Sequence, residues 1–282
     1  MQSVLDPLNA SAQGFSAEAM RHRLKVYSGV LLSTDALVGY FREQRLHEHV
    51  MLYPPVAASP TAAARRDGAL HVGFFGGGHR REFFARFVYP ALARLAERQE
   101  VTVFAAGIDA GSDVTARLKV VPVSYEPSYP VALRQMTSYG IDVLVHPGPE
   151  TADAIYKNPN VIINAQALGA VPIVSDVAPY RGLAAQGICV TCENTDASWF
   201  AALSSIAANR TARDLLISLG AAYCRHHFSG AANRDILTSL VGRGRVPTAW
   251  LRRMRLLPLT FGLSVGLVRE FADRRRVLGG GQ

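Results

Sequence analysis

Short apolar runs alternate with longer amphipathic stretches along most of the chain, the pattern of strands feeding helices. Residues 70–75, 101–105, 119–123, 141–145 and 172–174 are rich in Val, Ile, Leu and Phe. They are short enough for strands buried on both faces. Between them, helical spacing predicts a helix over 82–98, with Phe83, Phe84, Phe87, Leu92 and Leu95 on one side, and another over 127–139. Strand and helix repeated in this way give a parallel sheet with right-handed crossovers and helices on both faces. Nearer the start, the pattern predicts a helix over 17–27, a strand over 30–32, a helix capped within Ser33-Thr34-Asp35, and a strand over 49–52. These make a smaller, partial α/β segment over 1–56. Residues 57–68, rich in Ala, Ser, Pro and Arg, read as a linker. The main domain then covers 69–242. It closes with a short strand near 188–190 and three helices: one capped by Asp196, one over 211–227, and one ending near 242.

The stretch 156–191 organises the rest. Asn158 suits a helix cap and Pro159 the first helical position, where a missing N–H costs nothing. Gly169 is the expected stop, and the strand after it ends at Ser175-Asp176. A helix start has free N–H groups and a positive dipole end, and Lys157 just precedes this one, a combination suited to phosphate. The strand over 70–75 feeds Gly76, Gly77 and Gly78, followed by His79 and Arg80, and the strand over 141–145 runs into His146 and Gly148. Both places are strand carboxyl ends, where sheets of this kind take ligands. The glycine turn is not a G-x-G-x-x-G fingerprint and no Walker lysine follows it. An ordinary crossover with a solvated lysine, an exposed His79-Arg80 helix start and a loop histidine at 146 remain open beside the ligand reading.

Composition narrows the classes. With 282 residues and 49% hydrophobic content the chain can build a real core. Residues 243–282 hold nine arginines against Glu270 and Asp273, and so carry most of the net charge of +8. No nucleic-acid motif accompanies that charge, so nucleic acid is not an expected partner. The tail's apolar run, 256–268, is too short to cross a bilayer. Flanked by arginines, it fits either an anionic membrane surface or a helix packed on the sheet or on a partner. Cys189, Cys192 and Cys224 lack metal spacing and redox context, which fits a reducing cytoplasm. No basic, apolar leader opens the sequence, so the expected location is cytoplasmic, peripherally at the membrane's inner face if the tail takes the first of those two roles.

Lys157, six residues, then Asn164 opening Asn-Ala-Gln-Ala-Leu-Gly-Ala-Val-Pro-Ile-Val-Ser-Asp resembles the C-terminal domain of GT-B glycosyltransferases of the family 4, or group 1, type. Pro179-Tyr180, Gly187 and Ser198-Trp199 stand where that family has its Pro-Tyr turn, glycine and Trp-bearing helix start. The resemblance covers about 70–240. Two positions depart from it: Asn164 and Tyr156 replace the family's two glutamates. The resemblance implies one Rossmann-like GT-B half, to which the charge pattern adds a basic helical tail over 243–282. It implies a nucleotide-diphosphate-sugar held by Gly76, Gly77, Gly78, His79, Arg80 and Lys157. Asn164 would contact the ribose, and His146 and Gly148 would lie near the sugar. The acceptor would be a glycan or lipid-linked, and no metal or other cofactor is expected. No catalytic base is identified, and a partner chain could supply the acceptor domain. A non-catalytic interaction or regulatory protein on the same domain is the alternative.

Overall fold

The computed structural model describes residues 17–27, 29–57, 68–75, 78–106, 118–124 and 126–242. The described chain divides into two units, and neither is continuous in sequence. The smaller contains residues 17–56, Ile155–Asn158 and 230–242; the larger runs from Ala57 to Ala154 and from Pro159 to Ser229. The linker and the basic tail fall mostly or wholly outside the described residues, as does the Gly76-Gly77 pair.

In the smaller unit, α1 (Ala17–Leu24), β1 (Val30–Leu32), α2 (Asp35–Glu43) and β2 (Val50–Leu52) follow one another, with β1 and β2 paired in parallel. Thr34 is the cap of α2: its hydroxyl accepts the Leu37 N–H at 3.2 Å. Ala17, Tyr40 and Leu46 form a small core that Tyr156 joins edge-on against Tyr40. The last described helix, Gly230–Gly242, belongs to this unit, and Asn233 Nδ2 donates to the Pro54 carbonyl at 2.8 Å.

The larger unit is a Rossmann-like sheet. In chain order its elements are β3 (Leu70–Phe74), α3 (Gly78–Phe83), a π-helical turn (Phe84–Val88), α4 (Tyr89–Ala96), β4 (Val101–Ala106) and β5 (Leu118–Val123). Then come α5 (Tyr129–Ser138), β6 (Val143–His146), α6 (Asn160–Leu168), β7 (Val171–Ser175), α7 (Tyr180–Ala185), β8 (Val190–Cys192), α8 (Asp196–Ala208) and α9 (Arg210–His227). The six strands are all parallel, in the order β5-β4-β3-β6-β7-β8. Chain direction across the sheet therefore reverses between β3 and β6, the place where ligands enter such sheets.

Alternation along the strands builds two cores. Val103, Val143, Val145 and Ile173 face one side with Leu92, Trp199 and Leu203. Phe104, Leu144 and Val174 face the other with Met136, Ile162 and Leu168. Helices thus cover both faces, the π-helical turn, α4 and α8 on the first and α5 and α6 on the second.

Local chemistry moves several predicted boundaries. The helix after β3 starts at Gly78, four residues ahead of the predicted start, so the glycine turn is shorter than the sequence suggested. Pro90 has no N–H and its ring clashes with a carbonyl one turn earlier. The helix accommodates it by widening, with the Tyr89 N–H bonded to the Phe84 carbonyl. Asn158 does not cap α6. The residue before a proline is pushed out of the helical region, and Pro159 itself sits at the cap with ψ 55°, so helix begins at Asn160. Likewise Thr195, not Asp196, caps α8: it is extended and its side chain accepts the Ser198 N–H. Asp196 instead stands in the first turn, where its charge meets the helix dipole. The Pro179-Tyr180 turn opens a helix, α7, that apolar spacing did not predict. Gly169 ends α6 as expected, in the left-handed conformation at φ 64°.

Candidate functional site

The carboxyl ends of β6, β7 and β8 are laced together by a closed ring of hydrogen bonds. The Gly148 N–H donates to Ser175 Oγ at 2.8 Å, and that hydroxyl donates to Asn194 Oδ1 at 2.6 Å. Asn194 Nδ2 completes the ring by donating to the Gly148 carbonyl at 3.0 Å. Ser175 is fully buried, so its hydroxyl has to be paired, and here it both accepts and donates. A second, exposed brace lies outside the ring. Arg181, on α7, bonds Glu150 at 2.7 Å and Asp176 at 3.1 Å. Pairs this exposed contribute little stability.

From β3's side, Arg80 reaches across the point of reversal. Its Nη1 donates to the Pro147 carbonyl at 2.8 Å. The guanidinium fills the space above Gly148: a Cβ built there would run into Arg80 Nη1 and lie 3.2 Å from Cζ. Burial lowers the Arg80 pKa, yet an arginine stays charged at any physiological pH. Among the described residues no carboxylate pairs with it. Tyr180 is nearby, its phenol pushed up to about 12 by burial, against the opposing pull of the Arg80 cation. It therefore stays neutral. His146, the last residue of β6, meets the Tyr180 ring edge-on with centroids 6.0 Å apart. A partly desolvated cation without a carboxylate partner, at the strand ends, is suited to an anion.

Of the residues picked out from sequence, the fold gathers Arg80, His146 and Gly148 at this one place. Gly78 and His79 are backbone positions at the start of α3, and Gly76 and Gly77 lie outside the described residues. Asn164, one turn into α6, has its Oδ1 engaged by the Tyr129 hydroxyl at 2.8 Å, which leaves its Nδ2 as the donor it offers. Lys157 sits in the Ile155–Asn158 segment that groups with the smaller unit. Sequence reasoning missed Asn194, Tyr129 and Tyr180 as members of the site. For Asn194 a signal existed: it is a polar side chain just past a strand's carboxyl end. The three cysteines are buried and their thiols are pushed up, Cys189 and Cys192 to about 12 and Cys224 to about 11. Among the described residues no group of His, Cys, Asp and Glu could hold a metal ion, and no helix is long and apolar enough to cross a membrane.

The fold is that of GT-B glycosyltransferases. Among solved structures, the chain is similar to sucrose-phosphate synthase from Thermosynechococcus elongatus, with TM-score 0.56 and 15% identity over 83% of this chain and 63% of that one. It is also similar to Anabaena HepE in complex with UDP-glucose, with TM-score 0.55 and 14% identity over 86% of this chain and 71% of that one. A glycosyltransferase from Rickettsia africae gives TM-score 0.55 at 9% identity, over 82% of this chain and 69% of that one. At such identities the likeness is one of fold. No protein-family model matches the chain. A search of curated proteins finds no match either.

Proposed function

We propose that the chain is a glycosyltransferase, or the donor-binding part of one, and that a nucleotide-diphosphate-sugar binds at the carboxyl ends of β3 and β6. The observation that carries this reading is the half-buried Arg80 guanidinium over Gly148, a cation without a carboxylate partner among the described residues, at the sheet's point of reversal. The fold shared with HepE, whose structure holds UDP-glucose, supports it. In this reading Arg80 and the Gly76–Gly78 turn with His79 hold the diphosphate. Asn164 donates its amide to the ribose, and His146 and Gly148 border the sugar. The reaction is substitution at the anomeric carbon, and negative charge builds on the departing nucleoside diphosphate. A fixed, partly desolvated cation stabilises that charge without a metal. The acceptor is a glycan or a lipid-linked sugar, and the basic tail beyond residue 242 holds the protein at an anionic membrane surface.

One observation favours a second reading, a non-catalytic nucleotide-sugar-binding protein on the same fold. The position of the family's glutamate carries an uncharged amide whose oxygen is already engaged by Tyr129. Both readings predict binding, and thermal melting with UDP, GDP and UDP-sugars tests it. A ligand at 100 times its Kd raises stability by about 2.7 kcal/mol. Arg80→Gln reduces the shift and leaves the ligand-free melting temperature unchanged; a large loss without ligand would make Arg80 structural. Release of nucleoside diphosphate from the sugar nucleotide that binds separates the enzyme from the binding protein.

A further inference from the structure

We infer that Ser175 and Asn194 are positioning residues that set Arg80 for its anion by pinning the two peptide planes on either side of Gly148. The inference rests on the donor-binding reading above and deepens it. Gly148 has no side chain because Arg80 occupies that space. Glycine is also the residue whose backbone turns most freely. The Pro147-Gly148 peptide carries both the carbonyl that receives Arg80 Nη1 and the N–H that Ser175 Oγ accepts at 2.8 Å. Carbonyl and N–H point opposite ways across one rigid trans plane. Ser175 and Arg80 therefore hold the same plane from its two ends, and a rotation that frees one releases the other.

The following peptide is held through its carbonyl, which accepts Asn194 Nδ2 at 3.0 Å. The Ser175 hydroxyl, donating to Asn194 Oδ1 at 2.6 Å, makes the two restraints one unit. Its polarity is determined throughout: Asn194 cannot be flipped without setting its carbonyl oxygen against that of Gly148. The missing Cβ makes room for the guanidinium, and the backbone freedom that comes with it is removed by side chains from β7 and from the turn after β8. Neither residue has to meet the ligand to matter.

A double-mutant cycle tests this, using calorimetric affinity for whichever of UDP, GDP, ADP and dTDP binds tightest. Asn194→Ala and Ser175→Ala each weaken binding about tenfold in the wild-type background, the order of one buried hydrogen bond. In the Arg80→Gln background neither adds a further loss, because the group they position is gone. Asn194 is only half-buried, so Asn194→Ala keeps the test readable should Ser175→Ala fail to fold. Unchanged affinity in Asn194→Ala, or the same loss with and without Arg80, overturns the inference while leaving the donor-binding reading in place. A wild-type protein that binds none of the four diphosphates overturns both.

Discussion

A methyl group at Gly148 would stand where the Arg80 guanidinium lies. Gly148→Ala should therefore displace the cation and weaken nucleoside-diphosphate binding about tenfold or more, with an unchanged melting temperature; wild-type affinity, measured by calorimetry, would disconnect Arg80 from the ligand. The buried thiols give an independent check on this core. At pH 8 none of Cys189, Cys192 and Cys224 should react with an aromatic disulfide reagent until the protein is unfolded, since burial holds all three as thiols. Tyr180 sets an alkaline limit. Its folded pKa, about 12, lies above the unfolded value of 10.0, so the native state keeps a proton the unfolded chain has lost. Stability then falls as pH rises from 10 to 12, and Tyr180→Phe should flatten that part of the melting profile. Arg80 and Gly148 were singled out in the sequence because one follows the glycine turn after β3 and the other stands just past the end of β6; Ser175 was visible there only as a strand end. Tyr129 was not: it meets Asn164 from 35 residues away, across two helices whose contact no local pattern encodes.

Single elements show where local chemistry overrides spacing. Five of the six strands of the large sheet were readable from their β-branched and apolar runs, while β8, Val190–Cys192, lies two residues past the run expected at 188–190. Their partners, the helices, were readable in kind but not at their ends, because caps depend on backbone angles. Pro159 displaced the start of α6, and Thr195 took the cap that Asp196 had been expected to fill. Thr195→Ala should cost about 1 kcal/mol, the usual worth of a cap, in chemical denaturation. Leu203, fully buried on α8 beside Trp199 and the sheet, is the contrasting position. Leu203→Ala should cost about 3 kcal/mol through the cavity it leaves. A smaller loss for Leu203 than for Thr195 would contradict the packing described here.

Across the whole molecule, alternation of strands and helices announced a parallel α/β sheet, and nothing in it announced the order of strands. That order places β3 beside β6, bringing Arg80 and Gly148 together from 68 positions apart. Nor could a linear reading group Ile155–Asn158 and the helix Gly230–Gly242 with the first elements of the chain, since such contacts join segments far apart in sequence. The central claim is that the crevice at the sheet's point of reversal binds the diphosphate of a nucleotide through Arg80. Titration calorimetry with UDP, GDP, ADP and dTDP, on the wild type and on Arg80→Gln, tests it most directly. The account predicts that at least one diphosphate binds and that Arg80→Gln weakens it about 10- to 100-fold, the worth of a charged hydrogen bond. A folded Arg80→Gln variant that binds as tightly as the wild type would contradict it.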